Sequence, residues 1–277
     1  MCECQRNIRV TLFYVLLLLC AVIIALPYAM MVLTGFKTPG EVFAREWRLL
    51  PRNWRIENYV KIIEMPFFRQ YLMNSIIVTA GGVLLEVVVS FLAAYGFARL
   101  SFPGKQALFF MVIATMMIPP QVLMLPQYIV VHKLGWVNKY AGLIIPRAAS
   151  AFGVFLLRQF FLSIPRDYED AARVDGCGLF RLLTKVYLPM VRPAVVTLAV
   201  FSFLGFWNDY YWPLIITNRD EMRTLPLGIA QFMSVEGMGQ WHLLMAAATI
   251  ATVPSLLVFL IARRQVISNI TAGGLKG

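Results

Sequence analysis

Cysteine, histidine and acidic side chains are all scarce in this sequence. Its 277 residues hold four cysteines, Cys2, Cys4, Cys20 and Cys177, too few in a chain of this length for a disulfide-built secreted domain. Cys2 and Cys4 have no nearby Cys or His partner, and His132 and His242 stand alone, so no metal centre is expected. Charged residues make up only 14%, against about a quarter in ordinary soluble proteins. Hydrophobic residues make up 60%, which excludes intrinsic disorder. No Gly-x-x-x-x-Gly-Lys-Ser/Thr phosphate loop occurs. The nearest fragment, Pro103-Gly104-Lys105-Gln106, lacks the first glycine and the hydroxyl. No Ser/His/Asp constellation lies near an apolar run, and no nucleic-acid module or repeat is visible. The expectation is a chain that is not an enzyme and holds no cofactor.

What is present is apolar surface in excess of what one soluble core could hide. Mean hydropathy is +0.71. The class is an all-α integral membrane protein. Net charge is +11, read as basic loops facing anionic lipid and cytoplasm rather than as a nucleic-acid surface. A spanning helix needs about 20 mostly apolar residues. Six runs qualify, at 10–33, 72–98, 107–128, 140–161, 193–216 and 243–262, so residues 1–277 are expected to form a single transmembrane domain. The runs are too long and too uniformly apolar for barrel strands. The first run is retained rather than cleaved, because no small-residue processing site follows it. With both termini inside, the inner segments hold 13 Lys and Arg and the outer loops 11, which favours cytoplasmic ends.

Between the fourth and fifth runs lies a long polar loop, 163–189. Pro165 suits a helix start, and Asp167, Glu169 and Asp170 suit the first turns against the helix dipole. Gly176 suits a left-handed helix end. A second short helix, Leu179–Tyr187, is expected to stop before Pro189. Tyr168, Ala171, Ala172 and Asp175 fall near one face by three-and-four spacing. Taken alone, the loop reads either as a docking surface or as an amphipathic linker on the headgroups.

Asp170-Ala171-Ala172, three residues, Gly176, nine residues, then Val186-Tyr187-Leu188-Pro189 resembles the loop of binding-protein-dependent ABC importer permeases. The family pattern is Glu-Ala-Ala, three residues, Gly, nine residues, Ile-x-Leu-Pro. Asp170 and Val186 are conservative departures, and Asp175 before Gly176 is family-like. Other stretches resemble the carbohydrate branch, the smaller maltose-type subunit. They are Leu50-Pro51 with Glu57-Asn58-Tyr59; Asn74-Ser75 with Ala93-Ala94-Tyr95-Gly96-Phe97-Ala98-Arg99; Trp207-Asn208-Asp209 with Trp212-Pro213-Leu214; and the tail Thr271–Gly277.

The resemblance implies half of a translocation pore in the cell membrane, driven by ATP hydrolysed elsewhere. Its implied partners are a second permease subunit, two cytoplasmic ATPase subunits and an extracytoplasmic sugar-binding protein. It implies that Asp170, Ala171, Ala172, Asp175, Gly176, Leu188 and Pro189 couple to the ATPase. The cargo stays open among mono-, di- and oligosaccharides and glycerol phosphate.

Ionisable side chains inside hydrocarbon are costly and usually face a bundle interior. Glu86, Arg147 and Asp209 lie well inside the second, fourth and fifth runs. One reading makes Glu86, Arg147, Asn208, Asp209 and Trp212 a polar path for sugar. The other is an internal ion pair, Arg147 with Glu86 or Asp209, and it is favoured because buried charges are normally paired. Ile118-Pro119-Pro120-Gln121 either breaks the third run beside a substrate path or marks its outer end. An ion-coupled secondary transporter, using Glu86 and Asp209, is the rival from another class.

Overall fold

The computed structural model of the protein describes residues 2–46, 48–235 and 239–274, with side chains placed at 10–46, 48–232 and 239–263. The side chains of Cys2, Cys4 and the tail therefore lie outside those described. Every regular element among the described residues is a helix. In order they are α1 (Cys2–Gly35), α2 (Pro39–Val42), α3 (Glu57–Glu64), α4 (Pro66–Arg99), α5 (Lys105–Ala114), α6 (Pro120–Lys133) and α7 (Tyr140–Ile144). There follow α8 (Ala151–Ser163), α9 (Asp167–Val174), α10 (Leu179–Arg181), α11 (Leu188–Trp207), α12 (Tyr211–Ile216), α13 (Leu225–Val235) and α14 (Trp241–Gly274).

Four continuous helical stretches are long and apolar enough to cross a membrane: Val10–Gly35, Pro66–Arg99, Leu179–Trp207 and Trp241–Arg263. No more than 28% of the scored residues in any of them is buried within the protein. Much of their apolar surface lies outside the protein core, as suits a hydrocarbon solvent.

The other two expected spans are broken. Lys105–Met117 and Pro120–Lys133 meet at 107°, and Tyr140–Arg147 meets Ala151–Ser163 at 46°. The count is thus six only if each bent pair is one span. The first break has a plain cause. A residue that precedes proline avoids the helical region, and here both Ile118 and Pro119 precede one. Ile118 is extended at φ −88°, ψ 120°, and Pro119 at φ −57°, ψ 130°. Pro120 then opens α6 at the position where a missing N–H costs nothing. At the second break the Ser150 side chain accepts from the Gly153 N–H at 3.1 Å and starts α8.

The fifth span also departs from expectation. It does not begin at 193 but runs unbroken from Leu179, and it stops at Trp207 rather than 216. The short helix after Gly176 does not end before Pro189. Leu182–Tyr187 widens into a π-helical turn instead. A widened turn relieves the clash of the proline ring with the carbonyl four residues back, so the helix passes through. Near the C-terminus α14 continues past 262, where the sixth expected span ends, to Gly274, so the tail from Thr271 begins within a helix.

The chain divides into two compact units, Met1–Arg69 with Gly228–Val253, and Gln70–Leu227 with Pro254–Gly277. In the first unit Thr38 and Glu41 form a reciprocal capping box that starts α2. Asn58 Nδ2 donates to the carbonyls of Gly35 (2.8 Å) and Lys37 (2.9 Å), and the Tyr59 hydroxyl donates to that of Val32 (2.9 Å). Side chains thus satisfy the carbonyls that the end of α1 leaves orphaned.

The second unit has a core of Ala94, Tyr95, Ala98, Leu157, Phe161, Tyr187, Val191, Ala194 and Leu198, contributed by α4, α8, α11 and the π-helical turn. Small residues let the helices approach, since apolar burial alone does not drive helices together in lipid. Gly153 is one such meeting point. A Cβ there would lie 2.5 Å from Ser90 Oγ and 3.0 Å from Leu198. Two arginines finish the packing by capping each other's helix. Arg99 Nη2, at the end of α4, donates to the carbonyls of Phe161 (2.7 Å) and Ile164 (2.6 Å) at the end of α8. Arg158 Nε, on α8, donates to Phe97 of α4 at 3.1 Å. Cations at helix C-termini are favourable against the dipole.

Candidate functional site

An open cleft of 860 Å³ lies within the second unit. Glu86 of α4, Arg147 at the second break, and Asp209 and Trp212 around the gap between α11 and α12 all line it. Four of the five residues singled out for a polar path are therefore brought together. The fifth, Asn208, is not among the lining residues; its Nδ2 donates to the Leu204 carbonyl at 3.0 Å and closes α11. Thr115, Gln121, Gln127 and Ser150 add polar groups without charge, and Phe97, Phe152 and Tyr211 add ring faces. Ile118, Pro120 and Gln121 at the sharp bend also line the cleft, so the double proline lies on the cleft wall.

Arg147 and Asp209 form an ion pair between Nη1 and Oδ2. Of the two partners open to Arg147, the one taken is Asp209. Arg147 Nη2 reaches the Gly205 carbonyl at 3.4 Å, and the guanidinium lies 4.7 Å from the Phe206 ring centre. Asp209 Oδ1 accepts from the Trp212 N–H at 3.4 Å, and the Trp212 indole N–H donates to the Gly142 carbonyl at 3.0 Å. Trp212 is thus a fixed wall, 3% exposed. Glu86 is 9% exposed and has no ionic or hydrogen-bond partner among the described residues.

The loop after α8 forms a helix, elbow and helix. Gly176 has φ +73°, the left-handed conformation that its lack of a Cβ permits. Its N–H donates to Arg173 at 3.0 Å and the Cys177 N–H to Ala172 at 2.9 Å, the paired bonds of a Schellman motif. Pro165 lies just ahead of the helix start, and α9 begins at Asp167. Asp170, Ala171, Asp175 and Gly176 are exposed, whereas Ala172 is half-buried against the core. Leu188 and Pro189 are exposed at the start of α11. Val174 and Phe180, 87% and 79% exposed, project on either side of the elbow.

The periodicity gave no sign of what fixes this loop to the bundle. Glu169 is 8% exposed and accepts from the fully buried Tyr187 hydroxyl at 2.5 Å and from Arg173 Nη2 at 2.6 Å. Burial alone would raise its pKa. The hydrogen bonds from Tyr187 and Arg173, with the charges of Arg173 and Arg99, outweigh that and hold it below the usual value. The available signal was the Glu169–Arg173 spacing of four. The Asn74-Ser75 pair likewise has a structural task. Asn74 Nδ2 donates to the carbonyls of Glu221 (2.7 Å) and Arg223 (2.8 Å), and Ser75 Oγ accepts from the Leu225 N–H (2.7 Å).

A chain whose described elements are all helical, with several stretches able to span a membrane, a cleft that gathers polar and charged side chains on a largely apolar wall, and a structured elbow has the makings of a transport protein. Residues 67–271 match the family of binding-protein-dependent transport system inner membrane components, and the chain belongs to that family. It is 35% identical over 269 residues to a probable ABC transporter permease protein of Bacillus subtilis, covering 96% of this chain and 89% of that one. It is 30% identical to the arabinooligosaccharides transport system permease protein of Halalkalibacterium halodurans, covering 93% of each. Its fold is similar to a chain of a bacterial ABC transporter involved in the import of the acidic polysaccharide alginate. The TM-score is 0.86 and the identity 23%, with 94% of this chain and 97% of that chain covered.

Proposed function

We propose that this chain is the membrane subunit of an ATP-driven carbohydrate importer and supplies half of its pore. It lies in the cell membrane with both ends in the cytoplasm, residues 1–277 forming one permease domain. A second permease subunit completes the pore, and an extracytoplasmic binding protein delivers the sugar. Two ATPase subunits bind on the cytoplasmic side.

The observation that carries the coupling part is the elbow. The Schellman turn at Gly176 leaves Val174 exposed ahead of the fifth span and Phe180 exposed on the first turn of that span, neither of them covered by the bundle. Asp170, Ala171, Asp175 and Gly176 flank them on the surface. The Glu169–Tyr187 hydrogen bond ties that surface to the core, so a push on the elbow is passed to α11. The cleft supports the carbohydrate part. Its polar lining is mostly uncharged and mixed with ring faces, which suits sugar hydroxyls and sugar CH surfaces.

The test is Gly176→Val in the reconstituted importer. No atom lies within 4 Å of a Cβ at this position, so the change strains only the backbone, by about 1 kcal/mol or more. The expected result is normal insertion with ATP hydrolysis uncoupled from uptake. Wild-type uptake by that variant would refute the docking assignment.

A further inference from the structure

We propose that the cleft admits uncharged sugars and holds back anionic ones, because its cation is neutralised from within while Glu86 stays unpaired. The proposal rests on the reading of the cleft as the sugar path. It decides between cargo classes that the sequence leaves open, setting glycerol phosphate and acidic sugars aside.

Arg147 is the only Lys or Arg among the described residues that line the cleft. An anionic cargo would need it, as carboxylate and phosphate are held by guanidinium forks. That fork is already engaged by the Asp209 carboxylate and the Gly205 carbonyl, and its face is turned to Phe206. Glu86 lies on the same cleft with no counter-charge. The lining therefore carries one cation against two carboxylates. At about 6 Å and an effective dielectric of about 20, a second anion is disfavoured near Glu86 by roughly a hundredfold. A neutral sugar meets no such penalty, and its hydroxyls can donate to Glu86, Gln121 and Gln127.

The experiment reads this field with small probes. In the assembled importer, Cys2, Cys4, Cys20 and Cys177 are replaced by alanine or serine, and Ala149→Cys places one thiol on the cleft lining. Its modification rate is measured with a trimethylammonium-ethyl and a sulfonato-ethyl methanethiosulfonate, each relative to free mercaptoethanol. The expected cation-to-anion ratio exceeds the free-thiol ratio by about tenfold or more. Glu86→Gln should reduce that ratio at least about threefold, and Asp209→Asn, which frees Arg147, should reduce it as well. A ratio equal to that of the free thiol, or one that Glu86→Gln leaves unchanged, overturns the charge inference and leaves the path reading standing. A thiol that neither reagent reaches, with or without ATP, overturns both.

Discussion

Replacing Asp209 separates its two possible services, holding helices together and lining the cleft. Breaking a fully buried pair by removing one partner costs about 3–5 kcal/mol. Here the Arg147 side chain is 31% exposed and that of Asp209 14%, so water in the cleft reaches the stranded cation. Arg147 also keeps the Gly205 carbonyl and the Phe206 face. The expected cost of Asp209→Asn is therefore lower, about 1–3 kcal/mol. Asp209→Leu also removes the acceptor of the Trp212 N–H, which adds about 0.5–1.5 kcal/mol. Adding Arg147→Gln to Asp209→Asn leaves no unpaired charge, so about half or more of the loss should return. The assay is thermal stability and yield of the assembled importer, with uptake measured alongside. Two results would refute the reasoning: full stability and uptake for Asp209→Leu, or a double variant whose loss equals the two single losses added together.

The remaining expectations concern the loop, the core and the membrane. Tyr187→Phe removes one of two hydrogen bonds to Glu169 and should loosen 163–189 by about 1 kcal/mol, read as faster proteolysis of the loop. Because the folded-state pKa of Glu169 is lowered, its stabilising contribution is complete above the ordinary carboxylate value and fades only as pH falls through the lower one. Loop protection should thus be flat from pH 8 to about 5 and fall below about 4; a loss between pH 7 and 6 would contradict it. Gly153→Ala forces a Cβ to within 2.5 Å of Ser90 Oγ and should cost about 1–3 kcal/mol of complex stability, with Ser90→Gly restoring part of it. Cys20, exposed on the first span, should react with a lipid-soluble maleimide in intact membranes and resist a charged one.

The spans were legible because hydrocarbon demands long uncharged runs, and a run of that length admits few other readings. The elbow was legible because a left-handed helix end needs glycine, and Gly176 follows a helix whose first turn is acidic. Pro189 was misread, since a local rule that ends helices at proline does not foresee a π-helical turn that accommodates the ring. The gap at Asn208–Tyr210 had no proline or glycine to announce it. Glu169 was seen as a dipole partner and not as a buried pin, because Tyr187 lies 18 residues away and helical spacing reaches only four. Arg147 and Asp209 could be proposed as a pair only because charges are so few. The distance of 62 residues between them carries no periodic signal.

The sharp bend at 118–119 bears on how the chain is put into the membrane. Pro119 and Pro120 have no N–H, so the Met116 carbonyl has no helical donor four residues on, while the Thr115 carbonyl is met only by the tighter bond from the Ile118 N–H at 3.2 Å. Hydrocarbon offers no substitute. Residues 105–133 cannot rest in lipid as a finished, self-contained span in the way that 66–99 can. α8, which packs against α5 and the turn after it and helps to line the cleft, is synthesised later. During biogenesis this stretch enters early and matures late.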